Sequence, residues 1–260
     1  MIRVPGATYT TNSLCKQPTS DGVSVVTCCM NRNDNLLKAV KSWLLIESIN
    51  EIIIVDWSSN VSVKNTIPAD SKIKIVEVPN QEDWILSRAF NVGACFVSTD
   101  KMLKLDADII LAKDFLENHT LKESTFFHGT WKTAKTFDQI HINGQLYCFT
   151  DDFWKVNGYN EQITSYGWDD DDLYERLTSL NLRELYLNSS DMLHLHNSNE
   201  TRVESQTQFK NRKVDYDVLM ESRNKNREWC RTNKWTIKNE RINYSIKPQS
   251  SSCFVCRRIV

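Results

Sequence analysis

The sequence predicts an α/β fold with a mostly parallel central sheet flanked by helices. Three observations carry this. Short apolar runs end in polar or acidic residues, segments of helical periodicity lie between them, and the two alternate from Val23 to Asp108. Val23-Ser-Val-Val-Thr27 is the first strand. Asn33 or Asp34 can cap the helix that follows, in which Leu36, Leu37, Val40, Trp43 and Leu44 share one face. Glu51-Ile-Ile-Ile-Val-Asp56 is a continuous apolar run, as suits a parallel strand buried on both sides. Lys72 to Val78 alternates as a strand, Ile85 to Ser98 reads as a helix, and Lys101-Met-Leu-Lys-Leu105 is a strand running into Asp106-Ala-Asp108. In such sheets ligands sit at the carboxyl ends of the strands, so Thr27, Asp56, Asp106 and Asp108 are expected on one edge.

The second half is less regular. Phe126 to Gly129 and Leu146 to Phe149 are expected in a smaller mixed sheet. Asp151 to Val156 and Asp169 to Leu180 read as helices, and Leu185 to Leu187 and Met192 to Leu195 as short strands. No linker divides the chain. We expect one domain over 22–232, with a nucleotide-binding half over 22–110, an acceptor and catalytic half over 111–200 and a helical segment over 201–232. Residues 1–21 read as a poorly structured lead-in and 233–260 as an extended or mobile tail.

The 260 residues include 32 Lys+Arg against 33 Asp+Glu, a balance that argues against a nucleic-acid binder. No apolar run is long enough for a transmembrane helix, and Met1 to Lys16 has no apolar signal-peptide core. A reducing, cytoplasmic setting is therefore expected. Of the eight cysteines, Cys28, Cys29, Cys95 and Cys148 read as small buried hydrophobes, while Cys253 and Cys256 read as tail residues.

Four groups of residues can carry chemistry. Asp106 and Asp108 offer hard oxygen ligands that suit Mg²⁺ or Mn²⁺, although such a pair also fits a solvated turn. Gly167-Trp-Asp-Asp-Asp-Asp172 places four carboxylates together. One of them buried beside Trp168 would have the raised pKa of a general base, whereas the bland alternative is a charged helix start. His194 and His196 lie two apart on a strand and can face one ligand. Asn31, Arg32, Asp56, Arg88 and Asn91 are polar residues at strand ends or on the following helix, where an Arg can clamp a phosphate.

In this order the residues resemble a GT-A fold glycosyltransferase. Val25-Val-Thr-Cys-Cys-Met-Asn-Arg32 is similar to the first nucleotide-binding strand of family 2 glycosyltransferases, and Ile54-Val-Asp-Trp-Ser-Ser59 to the second, whose Asp contacts the nucleoside. Ser87-Arg-Ala-Phe-Asn-Val-Gly93 resembles the segment facing the diphosphate, and Leu105-Asp-Ala-Asp108 the metal-binding D-x-D. Val156-Asn-Gly-Tyr-Asn-Glu161 and Gly167 to Leu177 resemble the acceptor side of β-1,4-galactosyltransferases and polypeptide N-acetylgalactosaminyltransferases. Here Asp169 stands where Glu is common, and the glycines that usually precede it are missing.

The resemblance implies an inverting, Mn²⁺- or Mg²⁺-dependent transfer from a nucleotide-sugar donor, UDP-linked ahead of GDP-linked, to a glycan or glycoconjugate hydroxyl. It implies that Asp106, Asp108 and His194 or His196 hold the metal, and that Thr27, Asn31, Arg32, Asp56, Arg88, Asn91 and Asp106 bind the donor. Asp170 would be the catalytic base, with Trp131, Gly167, Trp168, Asp169 and Asp171 facing acceptor or sugar. The alternatives are a nucleotidyltransferase, against which Cys28 to Arg32 lacks a glycine-rich loop, and a silent carbohydrate-binding relative.

Overall fold

The structure, a computed structural model, describes residues 9–15, 20–136, 138–195, 203, 206–209 and 213–259. Strands β1 (Tyr9–Thr10), β2 (Ser20–Cys29), β3 (Ile49–Asp56), β4 (Ile73–Glu77), β5 (Thr99–Lys104), β7 (Thr125–His128), β8 (Leu146–Phe149), β9 (Arg183–Tyr186), β11 (Tyr244–Pro248) and β12 (Cys253–Arg258) form one sheet in the order β1-β11-β12-β4-β3-β2-β5-β8-β7-β9. Its centre, β12-β4-β3-β2-β5, is parallel throughout.

Alternate residues of the central strands feed two cores. Val25, Ile52, Ile54 and Leu103 pack with Leu36, Val40 and Trp43 of helix α2 (Asn33–Trp43). Val26, Ile53 and Val55 pack with Ala89, Phe90 and Val92 of α3 (Leu86–Ala94). Each such fully buried side chain contributes roughly 1.5–3 kcal/mol, so burial on both faces fixes the strand register. Cys28 and Cys29 fall one in each core, as unpaired buried thiols.

Two features of this topology place the site. The chain runs β2, β3, β4 outward and then crosses back to lay β5 on the other side of β2. That reversal opens a crevice between the carboxyl ends of β2 and β5. A second, two-stranded antiparallel sheet pairs β6 (Ile109–Leu111) with β10 (Met192–His194), with His194 opposite Ile109. The fully buried Trp43 anchors this ribbon by donating its indole N–H to Ile109 O at 3.0 Å. The ribbon is the expected smaller sheet. The expected strands over 126–129, 146–149 and 185–187 correspond instead to β7, β8 and β9, which extend the main sheet.

Both ends of the chain depart from expectation. Residues 233–260 are not a free tail. β12 adds parallel to β4, and β11 folds back on β12, burying Tyr244, Ile246, Phe254 and Cys256. The lead-in supplies β1, paired with β11, and a short helix α1 (Thr11–Leu14). Cys95 is not merely a small hydrophobe, because it is disulfide-bonded to Cys15 across 80 residues. The remaining helices are α4 (Phe115–Asn118), α5 (Thr150–Lys155), α6 (Asp169–Thr178) and α7 (Tyr216–Thr232). Among the described residues, no helix is long and apolar enough to cross a membrane.

The bridge makes a direct prediction. Unfolded without reductant, the protein should titrate six thiols, those of the unpaired cysteines, and all eight after reduction. Cys15→Ser should cost roughly 2–4 kcal/mol in urea unfolding. Eight thiols without reductant would show that the bridge does not form.

Candidate active site

β5 ends on Lys104, a lysine 1% exposed that follows the buried Met102 and Leu103. A buried ammonium needs counter-charges, and three oxygens supply them. Lys104 Nζ donates to Asp106 Oδ1 at 2.8 Å, to Asp170 Oδ1 at 3.3 Å and to the carbonyl of Gly144. It also lies 4.5 Å from the centre of the Phe90 ring. One cation thus joins the first carboxylate after β5 to a carboxylate in the first turn of α6, 66 residues away.

Gly144 is the floor of this arrangement. A Cβ there would sit 2.7 Å from Asp106 Oδ2 and 3.1 Å from Asp170 Oδ2, so a side chain at this position would push against both carboxylates. Its neighbour Gln145 accepts the Asp106 backbone N–H and donates to Asp106 Oδ2, both at 2.9 Å. Tyr174 pins the 143–145 turn by donating to the carbonyls of Asn143 and Gln145.

The four consecutive acids of α6 separate because helical residues step around the axis. Asp169 is buried. Asp170 also accepts from Tyr159 Oη at 2.8 Å, Asp171 pairs with Arg223 at 3.0 Å, and Asp172 pairs with Arg176 at 2.7 Å. Burial pushes Asp169 up to about 8, with the Asp170 charge adding to it. Burial also lifts Asp170, to about 6, with Lys104 pulling the other way and Asp106 adding to the rise. Burial acts on Asp106 too, but the adjacent Lys104 outweighs it and holds this carboxyl below the usual range. Two acids at either side of one lysine therefore differ: one is firmly ionised and the other is basic enough to take a proton near neutrality.

Asp108 faces elsewhere. The β6–β10 pairing, reinforced by the Leu195 N–H to Asp108 O bond at 2.8 Å, brings His194 Nε2 to 3.6 Å from Asp108 Oδ2. Arg32, just past β2, lies 3.4 Å from the same oxygen. Asp108 and His194 are both buried and form a carboxylate–imidazole pair, a donor set whose chemistry suits Mn²⁺. Among the described residues no three His, Cys, Asp or Glu side chains converge in metal-binding geometry, since Asp106 is turned to Lys104 and Gln145. His196 lies outside the described residues.

The other expected donor residues divide. Asn31 and Arg32 line a cavity of about 440 Å³ with Asn33, Asn60 and Thr66. Asp56 is buried and accepts the backbone N–H groups of Ser59 and Val63, so it organises the loop beside that cavity. Thr27 is fully buried in β2, and its hydroxyl has no hydrogen-bond partner. Arg88 and Asn91 lie away from Asp108. Asn91 brackets Tyr159, accepting its N–H at 2.8 Å and donating to its carbonyl at 3.0 Å. Arg88 lines a separate cavity with Glu161, Trp235 and Asn239. Trp131 is 60% exposed on the 129–144 loop, which is available to a ligand. Gly167 and Trp168 immediately precede the acids of α6.

Sequence reading missed Lys104, Gly144, Gln145 and Tyr159. Two of them left a signal: Lys104 as a charge just before a D-x-D, and Tyr159 as part of the Val156–Glu161 segment.

Comparisons with known proteins agree with this geometry. Residues 24–121 match the family model described as glycosyl transferase family 2, and residues 131–201 match one described as the N-terminal domain of galactosyltransferase. No curated protein sequence matches the chain. The catalytic domain of Drosophila β1,4-galactosyltransferase 7, solved with xylobiose, superposes with TM-score 0.60 at 14% identity, covering 92% of this chain and 94% of that one. A mutant of that enzyme, solved with manganese, UDP-Gal and xylobiose, gives 0.59 at 14% identity over the same shares. A Pyrobaculum calidifontis mannosyltransferase in complex with GDP-Man and Mn²⁺ gives 0.50 at 12% identity, over 68% of this chain and 59% of that one. The chain has the GT-A fold and is a glycosyltransferase with a galactosyltransferase-like segment.

The lysine bridge is testable without substrate. Lys104→Met leaves the partly exposed carboxylates of Asp106 and Asp170 without their cation and should cost roughly 1.5–3 kcal/mol in urea unfolding. Adding Asp170→Asn to that variant should recover part of the loss. Wild-type stability in Lys104→Met would refute the bridge.

Proposed function

We propose that this enzyme is metal-dependent and inverting, and moves a sugar from a nucleotide-sugar donor, UDP-linked ahead of GDP-linked, to a hydroxyl of a glycan or glycoconjugate. The observation that carries the reading is Asp170, half-buried, basic and held by Tyr159 and Lys104 in one cluster with Asp106, two residues before the Asp108–His194 pair. The complexes of the Drosophila and Pyrobaculum enzymes add nucleotide sugar and manganese as the ligands of this fold.

In this reading Asp108 and His194 would hold the cation, which when bound would supply positive charge against the donor diphosphate. Arg32 adds charge beside it. Asp106 stays with Lys104 and Gln145 and presents a fixed carboxylate to the donor. The nucleoside lies along the Asn31–Asp56 edge, while Trp131, Gly167, Asp169 and Asp171 wall the sugar and acceptor side and the Trp168 ring is taken up by Arg223 and Arg227. Asn91 acts through Tyr159, not on the diphosphate. Asp170 takes the proton of the acceptor hydroxyl as its oxygen bonds to the anomeric carbon. The bond from that carbon to the diphosphate oxygen breaks on the opposite face, inverting the centre. Tyr159 and Lys104 keep Asp170 oriented, and Lys104 offsets the charge it carries beforehand. A chain that keeps the Cys15–Cys95 bridge works in an oxidising compartment, against the cytoplasmic expectation.

Asp170→Asn should leave donor binding by calorimetry within a few-fold and lower transfer by roughly 10²–10⁴-fold. Equal loss of both would remove Asp170 from the base role. In the parent enzyme, kcat/KM should fall log-linearly below about pH 6, where Asp170 takes a proton, and level off above it. A profile flat through that region would argue against the same assignment.

A further inference from the structure

The first turn of α6, which carries Asp169 and Asp170, is only partly fixed by its own residues: Asp169 Oδ1 accepts the Asp170 N–H at 3.2 Å and Arg176 pairs with Asp172 at 2.7 Å. Its N-cap position is Trp168, whose side chain makes no capping bond. Two successive residues there hold left-handed backbone, Gly167 at φ 87° and Trp168 at φ 72°. For a tryptophan that conformation is unfavourable and persists only where the surroundings impose it.

The surroundings are one face of α7. Ser222, Arg223, Asn226 and Arg227 are spaced to share that face. Asn226 Nδ2 donates to Gly167 O at 2.7 Å and Tyr166 O at 3.2 Å, and its Oδ1 accepts from Ser165 Oγ at 2.9 Å. Ser222 Oγ donates to Tyr166 O at 2.9 Å. Arg223 pairs with Asp171 at 3.0 Å and stacks 4.7 Å from the Trp168 ring, with Arg227 5.7 Å away. A Cβ on Gly167 would come within 3.0 Å of Arg223 Cβ, so the loop lies directly on the helix. Trp168, expected to meet a sugar, has arginines of α7 over its ring.

We infer that α7 aims the catalytic turn, with Asn226 and Arg223 as positioning residues that set where Asp170 points. Neither residue falls within the segments matched by the family models. The inference rests on Asp170 being the base, but the clamp itself can be tested apart from that reading. The test uses Asn226→Ala, Asn226→Asp and Asn226→Gln in the whole protein, with UDP-galactose as the probe donor.

By hydrogen exchange, the amides of 169–172 in Asn226→Ala should open about tenfold faster, while those of β2, β3 and β5 keep their protection. With acceptor present, kcat should fall about 100-fold, with the KM for UDP-galactose within twofold. Asn226→Gln, which keeps the amide donor, should recover activity better than Asn226→Asp, which loses it. Unchanged exchange over 169–172 would overturn the inference, as would a kcat loss matched by an equal rise in KM. If the parent enzyme turned over no nucleotide sugar, the proposed function would fall, while the exchange arm would still decide whether α7 holds the turn.

Discussion

The buried ammonium of Lys104 is the interaction on which the site depends. Two half-buried carboxylates from distant parts of the chain meet around Gly144 with a fixed positive charge between them, which offsets their mutual repulsion. Lys104 supplies that charge from the last residue of a strand held rigid on both sides, so the geometry does not wait for a ligand. The same charge sets the contrast between Asp106, held ionised, and Asp170, whose burial keeps it basic.

The topology then separates tasks along the crevice. The carboxylates flanking Ala107 diverge, Asp106 toward Lys104 and Gln145, and Asp108 toward His194 and Arg32. The β6–β10 ribbon makes this possible by carrying a histidine from 86 positions later to the strand end. On the opposite wall, the 156–158 loop is tied to α6 by Arg176, which donates to Val156 O and Gly158 O while pairing with Asp172. Each side of the crevice is thus braced by contacts between segments far apart in sequence.

Much of this was legible from the residues, and the exceptions have physical causes. The strands β2 to β5 announced themselves by the apolar runs of β2 and β3, the alternation of β4 and the short Met-Leu core of β5, and the D-x-D stood out just after the last of them. The acidic cluster was visible, but which acid pairs with which base was not, since the partners Lys104, Arg176 and Arg223 lie up to 66 residues away. The C-terminal strands were hidden by an Asn-, Ser- and Lys-rich composition, in which only Tyr244, Ile246, Phe254 and Cys256 face inward. The Cys15–Cys95 bridge was hidden because connectivity cannot be deduced from spacing alone. Arg88 resembled a phosphate ligand by motif, yet the turn of α3 that carries it faces another cavity.

The claim most exposed to a single measurement is that Asp108 and an imidazole of the β10 end share one cation with a nucleotide diphosphate, while Asp106 remains with Lys104. Pulsed electron paramagnetic resonance of the enzyme with Mn²⁺ and UDP reads this directly. The account predicts nitrogen modulation from a coordinated imidazole that disappears in His194→Ala, and loss of Mn²⁺ binding in Asp108→Ala. Mn²⁺–UDP bound with no nitrogen coupling, or held undiminished by Asp108→Ala, would contradict it.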